Sequence, residues 1–333
     1  MKFGPVPVGE AQGAVLAHSV ALEKGRLRKG AVLSAADMAA LQAVGLAEVI
    51  VARLDPGDLG ENAAAERIAA ALVPDAAAAG LRVTKPFTGR VNLIAEAPGV
   101  AVLDVAAITA LNHVHPMITL ATVPAFQQME AGGMVATIKI IAYAVPGADV
   151  ERAAALAAGA IRMAGVVHRS AGLVVTQIPG GPDDTKGIAS IRARVEALGM
   201  DLAEVRTVPH RAAALAEALG GVRGDIAMIL TDSATSDVDD VAPSAVRHAG
   251  GRVERFGMPV DPGNLLFIGD IGARPVIGLP GCARSPALNG ADWVLSRVAC
   301  GIAVSGEDIA GMGVGGLLKE IPTRPQPRAG RKA

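Results

Sequence analysis

The stretch VIGLPGCARSP, residues 276–286, has the makings of an anion seat. An apolar strand end runs into Gly278-Leu279-Pro280-Gly281, then Arg284, then Ser285-Pro286. Gly278 and Gly281 would let the main chain approach a ligand or take a positive φ. Ser285 reads as an N-cap and Pro286 as the first helical residue, where a missing N–H costs nothing. Free amides at such a helix start attract anions, and Arg284 could add a forked contact. The chemistry would be that of a phosphate or pyrophosphate cradle. The same spacing also fits a tight strand-to-helix turn carrying a surface arginine.

Two more loops carry polar groups at useful spacing. In TDSATSDVDDVAPSA (231–245), the hydroxyls of Thr231, Ser233, Thr235 and Ser236 are interleaved with Asp232, Asp237, Asp239 and Asp240. Hydroxyls suit a phosphate, and carboxylates suit a hard cation such as Mg²⁺. A cation held by Asp237 and Asp240 could bridge the acids to a substrate phosphate. The loop also fits a solvated acidic turn in which one Asp caps a helix starting at Pro243. In IPGGPDDTKG (178–187), Asp184 or Thr185 could cap the next helix and Lys186 could meet a phosphate. A flexible turn is the plainer reading there. Pro262-Gly263-Asn264 is a turn signal. His113 and His115 could share a face on an extended segment, but no acidic or Cys partner lies near them, so a structural role is expected. His168 and His210 are isolated in the sequence and carry no functional reading. No Ser–His–Asp arrangement and no G-x-x-x-x-G-K-[ST] loop is recognisable.

These loops need elements to hold them. From about 149 to 318 a helix over 149–163 precedes apolar strands that alternate with helices. The strands are GLVVTQI (172–178), EVRTV, DIAMIL (225–230), RVERFGM (252–258) and the apolar run ending PVIGL; the helices are near 185–198, 211–219, 243–249 and 286–299. Such alternation predicts crossovers and a largely parallel sheet covered on both faces. Loops leaving the carboxyl ends of its strands would line a ligand crevice. The chain divides further into 1–82, a small α/β segment, and 83–148, a mixed-β subdomain. Within the first, Ser34 should cap a helix with Asp37 in its first turn and Gly45 at its end. A strand over 47–54 and a helix over 61–73, stopped by Pro74, should follow. Within the second, a hairpin is expected to turn at Pro98-Gly99, followed by the helix DVAAITALNHV and a strand over 134–146. The tail, 319–333, is basic and proline-rich and reads as disordered.

Composition narrows the function classes. Hydrophobic residues make up 51% of the 333, so sizeable cores are available, but aromatics are only 2%. The cores must be aliphatic. The net charge of −1 comes with scattered basic residues, which argues against nucleic acid as a partner. No apolar run suggests a spanning helix, and MKFGPVPVGEAQ has no apolar core behind its lysine, so no membrane and a cytoplasmic setting are expected. Cys282 and Cys300 fit no metal-ligand spacing and read as reduced thiols.

Taken in order, DSATSDVDDVAPSAVRHAGG, VDPGNLLFIG and PVIGLPGCARSPAL resemble the molybdopterin-binding domain of molybdenum-cofactor biosynthesis proteins. The opening GAVLAHSV and the stretch GAVLSAADMAALQAVGLAEVIV are similar to the molybdenumtransferase branch of that family. The resemblance implies a three-layer αβα, MogA-like domain over 149–318 with a mostly parallel sheet, preceded by the smaller α/β and mixed-β segments. It implies a cofactor, molybdopterin or its adenylylated form, with Mg²⁺, and a homo-oligomer. Asp240 falls on the family's loop aspartate, and Thr235 on the last glycine of its glycine loop. Pro262 and Gly263 match the second element; Gly278, Leu279, Pro280 and Gly281 match the third. Three departures bear on chemistry. Asp232 and Ser233 replace the leading glycines, Asn264 replaces a lysine, and Cys282-Ala283 replaces Asn-Pro. Ser244 also stands where an acid is expected. The resemblance therefore implies Mg²⁺-dependent cleavage of adenylylated molybdopterin with molybdate insertion, Asp240 being the catalytic residue. The alternative is a non-catalytic carrier, sensor or adaptor that partners a nucleotidyltransferase or a molybdoenzyme.

Overall fold

The computed structural model describes residues 1–181 and 183–318. Pro182 and the tail, for which disorder was expected, lie outside the described residues. The described residues form two compact units: 1–97 with 101–164, and 98–100 with 165–181 and 183–318.

The first unit carries two separate cores. The smaller is built from Val8, Leu16, Leu33, Leu41, Val49 and Val51. Strand Glu48–Arg53 pairs antiparallel with Lys2–Pro7 and with Val15–Leu16, so the sheet of this segment is antiparallel. Its helix, Ala35–Ala43, starts as the sequence predicts. Ser34 and Asp37 form a reciprocal capping box, and Gly45 follows at φ +80°. The second core draws Ile68 and Leu72 together with Leu93, Ile138, Ile140 and Val150. Helix Glu61–Leu72 thus belongs with the strands that follow it. The helix expected over 149–163 is Gly147–Leu156; its buried Val150 and Ala153 join this core, which places it in the first unit. The Pro98-Gly99 hairpin does not form. Strands Arg90–Ala95 and Gly99–Leu103 enter different sheets.

The second unit holds the candidate loops, and its elements are named here in chain order. They are β1 (Ser170–Gln177), α1 (Thr185–Glu196), β2 (Asp201–Pro209), α2 (Ala212–Gly221), β3 (Ile226–Leu230), α3 (Val241–His248), β4 (Arg252–Phe256), β5 (Phe267–Ile271), β6 (Arg274–Leu279) and α4 (Gly290–Ala299). The six-stranded sheet has the order β2-β1-β3-β6-β5-β4. It is mixed. The β1–β2, β1–β3 and β3–β6 ladders are parallel, whereas β5 is antiparallel to both β6 and β4. The run LLFIGDIGARPVIGL folds as a hairpin around Gly272, at φ +63°, and a hairpin reverses its first strand.

Side chains alternate across the sheet. Leu173, Val175, Met228, Leu230 and Ile277 bury against Ile191 and Val195 of α1 and Val294 and Leu295 of α4. Val174, Ala227, Ile229 and Val276 bury on the other face, against Leu215 and Leu219 of α2 and Ala245 and Val246 of α3. With few aromatics these two layers are aliphatic, as expected. Trp293 and Phe256 pack at their margins, and Phe267 is buried, its ring lying over Gly278 on the neighbouring strand. A Cβ at Gly278 would come 1.9 Å from that ring. Gly278 therefore serves strand packing, not ligand approach.

Candidate site at the carboxyl edge of the sheet

The loops that follow β1, β3, β4 and β6 all leave the same end of the sheet, and they are the four segments singled out above. In chain order 178–187 is the first loop, 231–245 the second and 278–286 the third, and at the centre of this edge the second loop meets the first. Thr176, fully buried near the end of β1, accepts the Asp232 N–H at 3.2 Å. Asp232 Oδ2 accepts the Ile178 N–H at 2.9 Å. A Cβ on Gly181 would lie 2.0 Å from that oxygen, so the glycine of the first loop makes room for the acid of the second. The Thr176 hydroxyl also lies 2.8 Å from His210 Nδ1. His210, isolated in the sequence, sits immediately after β2 and is brought to the site by the β1–β2 ladder.

Arg284 joins three loops. Its Nε and Nη2 donate to Asp184 Oδ1 at 3.1 and 2.7 Å, and its Nη1 donates to the Thr231 carbonyl at 3.0 Å. Asp184 is buried, its side chain 3% exposed, while that of Arg284 is 24% exposed. The arginine stem lies across Gly187, where a Cβ would meet it at 2.9 Å. The fork expected to hold phosphate is thus mostly engaged by the protein, leaving the outer N–H groups of the guanidinium. Asp184 occupies the N-cap position of α1 without a side-chain cap bond. Asp183 holds the Thr185 N–H and hydroxyl instead, at 3.0 and 2.6 Å. These bonds, the hydroxyl's first, hold the Asp183 carboxyl below its ordinary range. Lys186 is exposed.

The carboxylates assigned to a cation are spent on the loop itself. Asp240 caps α3, as one reading of the loop had it, with Oδ1 accepting Val241 N–H at 2.7 Å and Oδ2 accepting Ser236 N–H at 2.9 Å. Asp237 Oδ1 accepts the Asp239 N–H at 2.8 Å. Asp239 pairs with Arg247 at 2.7 Å. Among the described residues no group of three or more His, Cys, Asp or Glu side chains is placed to hold a metal. These residues therefore build no all-protein cage for a cation, and a Mg²⁺ here would have to share Asp237 or Asp240 with substrate oxygens. Thr231 and Thr235 are buried with their hydroxyls 3.3 Å apart. Ser233 is exposed, and the Ser236 hydroxyl donates to the Ala234 carbonyl at 3.2 Å.

The third loop differs from the expected helix start. After Leu279 and Pro280 the chain makes a single 3₁₀ turn, Gly281–Arg284, and α4 begins only at Gly290. Its cap is Asn289, which forms a capping box with Asp292. Ser285 therefore caps nothing at α4; its hydroxyl accepts the Ala287 N–H at 3.3 Å. The intervening residues are held by Arg194, which pairs with Asp292 at 2.8 Å. The same guanidinium donates to the carbonyls of Ala283, Ser285 and Ala287 at 2.9, 2.8 and 2.8 Å. Nothing lies within 4 Å of a Cβ built on Gly281. Cys282 is exposed and its Sγ accepts from Asn289 Nδ2 at 3.1 Å.

The turn after β4 buttresses this loop from behind. Pro262 offers its carbonyl to the Gly290 N–H at 2.8 Å. Gly263, at φ +147°, leaves 3.0 Å between a built Cβ and Gly290. The Asn264 amide donates to the Met258 carbonyl at 3.3 Å. Pro262, Gly263 and Asn264 thus position the start of α4. Sequence reasoning did not find Gly181, Gly187, Arg194 or His210, because each acts on a partner far away in the chain. A cavity of about 400 Å³ lies at the opposite edge of the sheet, lined by His168, Arg252, Asp270, Val276 and Val304 among others; none of the candidate residues lines it.

A domain of unknown function matches residues 5–53, the span of the smaller core. No curated protein matches the chain. The chain is similar in structure to a molybdopterin biosynthesis MoeA protein from Pyrococcus horikosii, at 14% identity and TM-score 0.30, over 90% of this chain and 76% of that one. It is similar to a molybdenum cofactor biosynthesis protein from Pyrococcus furiosus, at 13% identity and TM-score 0.25, over 93% of this chain and 65% of that one. A second MoeA structure, from Pyrococcus horikoshii OT3, shows 12% identity and TM-score 0.28, over 93% and 75% of the two chains. Likeness at this level fixes neither a site nor an activity.

Proposed function

We propose that the chain binds molybdopterin or its adenylylated form at the carboxyl edge of the six-stranded sheet, in molybdenum-cofactor biosynthesis, as a binding protein without turnover. One observation carries this reading: the motif segments that resemble the family, separated along the chain, converge with the first loop on one sheet edge, where α/β folds hold their ligands. The outer N–H groups of Arg284 and the open main chain at Gly281 would meet a phosphate. Both oxygens of Asp240 accept main-chain N–H groups, which supports the binding reading over turnover. The purified chain should retain molybdopterin and its adenylylated form through gel filtration and should release no AMP with Mg²⁺ and molybdate present. AMP release that is lost in Asp240→Asn would overturn the binding-only reading. Failure to retain either compound would overturn the assignment.

A further inference from the structure

The carboxyl edge holds two unsatisfied acceptors. Asp184 Oδ2 and Asp232 Oδ1 are buried with no hydrogen-bond partner. Among the described residues they are the only carboxylate oxygens in that condition; the other orphaned oxygens belong to Asn92 and Thr137, in the first unit. Each carboxylate has its other oxygen occupied, by Arg284 in one case and by the Ile178 N–H in the other. The two acids are linked, because Arg284 also donates to the carbonyl of Thr231, the residue before Asp232. Pro182, the one loop residue outside the described structure, has no N–H to offer. A buried charged acceptor without a donor is costly, and such atoms in native proteins call for a partner. A fully ionised phosphate is not that partner, since it brings only acceptors and like charge. Arg284 already supplies the cation at Asp184, so the need left at its second oxygen is for a hydrogen-bond donor. What fits is a neutral group with N–H donors.

Resting on the function proposed above, we infer that Asp184 and Asp232 form an acceptor pair that reads the N–H edge of a 2-amino-4-oxopyrimidine ring, the donor face of a pterin. The ring amide N–H and the adjacent amino group present two donors, one for each of the unpartnered oxygens Asp184 Oδ2 and Asp232 Oδ1. The glycine at 181 is what admits Asp232 to the loop it faces. The acid that replaces a family glycine is, on this account, a recognition group for the ring, while the phosphate end lies toward Gly281 and Arg284.

The test is a fluorescence titration of the full chain with 6-hydroxymethylpterin, which carries no phosphate. The comparison compound is 6-hydroxymethyllumazine, in which a carbonyl replaces the amino group and would face the carboxylate with a lone pair. The pterin should bind roughly tenfold or more tightly than the lumazine, as expected when a charged hydrogen bond is lost. Asp232→Asn keeps an oxygen for the Ile178 N–H and so preserves the loop. It should abolish the discrimination while pyrophosphate binding, followed by calorimetry, stays within twofold. Asp184→Asn is the second variant and should act in the same direction. Equal binding of pterin and lumazine, or discrimination that survives in Asp232→Asn, overturns the inference. If molybdopterin itself still binds in that case, the functional proposal stands without it. If neither molybdopterin nor the phosphate-free pterin binds, both fall.

Discussion

Gly181 and Gly278 look alike in the sequence and do different things. Gly278 is filled by its neighbour: the Phe267 ring occupies the space a side chain would need. Gly278→Ala should cost about 1–3 kcal/mol of stability through overpacking, read as a lowered denaturation midpoint, and Phe267→Leu in the same chain should recover part of it. Gly181 is filled by a side chain from another loop, the Asp232 carboxylate. Gly181→Ala should displace that carboxylate and weaken pterin binding severalfold with a much smaller change in midpoint than Gly278→Ala. The two thiols also separate at this scale. Cys282 is exposed and Cys300 buried, and burial pushes the Cys300 thiol up to about 11. A thiol reagent at pH 8 should modify one cysteine fast and the other only on unfolding; two fast cysteines would contradict the packing around Cys300. None of these distinctions is visible in the sequence, because a glycine does not announce which distant atom fills its place.

Among elements, the starts of α3 and α4 make the most direct comparison. Both Ser285-Pro286 and Asn289-x-x-Asp292 are helix-start signals, four residues apart. The structure uses the second, where the Asn289 and Asp292 side chains bond reciprocally and Arg194 ties the preceding residues down. Asn289→Ala should therefore cost about 1 kcal/mol, and Ser285→Ala within about 0.5 kcal/mol of nothing, both from chemical denaturation. Equal losses would place the helix start at 285. That one Asp of 231–245 caps α3 was legible, because a cap's partners lie close in the chain, here Val241 and Ser236; that the cap is Asp240, read as catalytic, was not. Strand β2 carries the clearest pH signature. The Arg206 hydrogen bond, then the Arg223 N–H, hold Glu204 down at about 2 from an ordinary 4.5. A carboxyl depressed in the folded state stabilises above its unfolded value and loses that contribution as pH falls from about 4.5 toward 2. The melting temperature of wild type should thus fall more between pH 5 and 2.5 than that of Glu204→Gln.

At the level of the whole molecule, alternation of apolar strands and helices made the second unit legible, including the order of its elements and the edge on which the candidate loops gather. Two things escaped. The boundary between units fell at 164–165 and not near 148, since the alanines of helix Gly147–Leu156 bury in a core that also draws on Ala64, Ile68, Leu93 and Ile138 from earlier in the chain. The reversal of β5 was hidden in a continuous apolar run, LLFIGDIGARPVIGL, whose turn at Gly272 looks like any glycine. No helix among the described residues is long and apolar enough to cross a membrane. In the second unit the carboxyl edge with its orphaned carboxylates and the cavity of about 400 Å³ at the other edge are both candidates for a small molecule.

Amide hydrogen exchange with and without molybdopterin distinguishes them. Ligand-dependent protection should appear together in peptides covering 178–187, 231–241 and 280–290, with little change over 252–255 and 301–305. Protection confined to 252–255, 268–277 and 301–305, with the carboxyl-edge loops exchanging as before, would contradict the account.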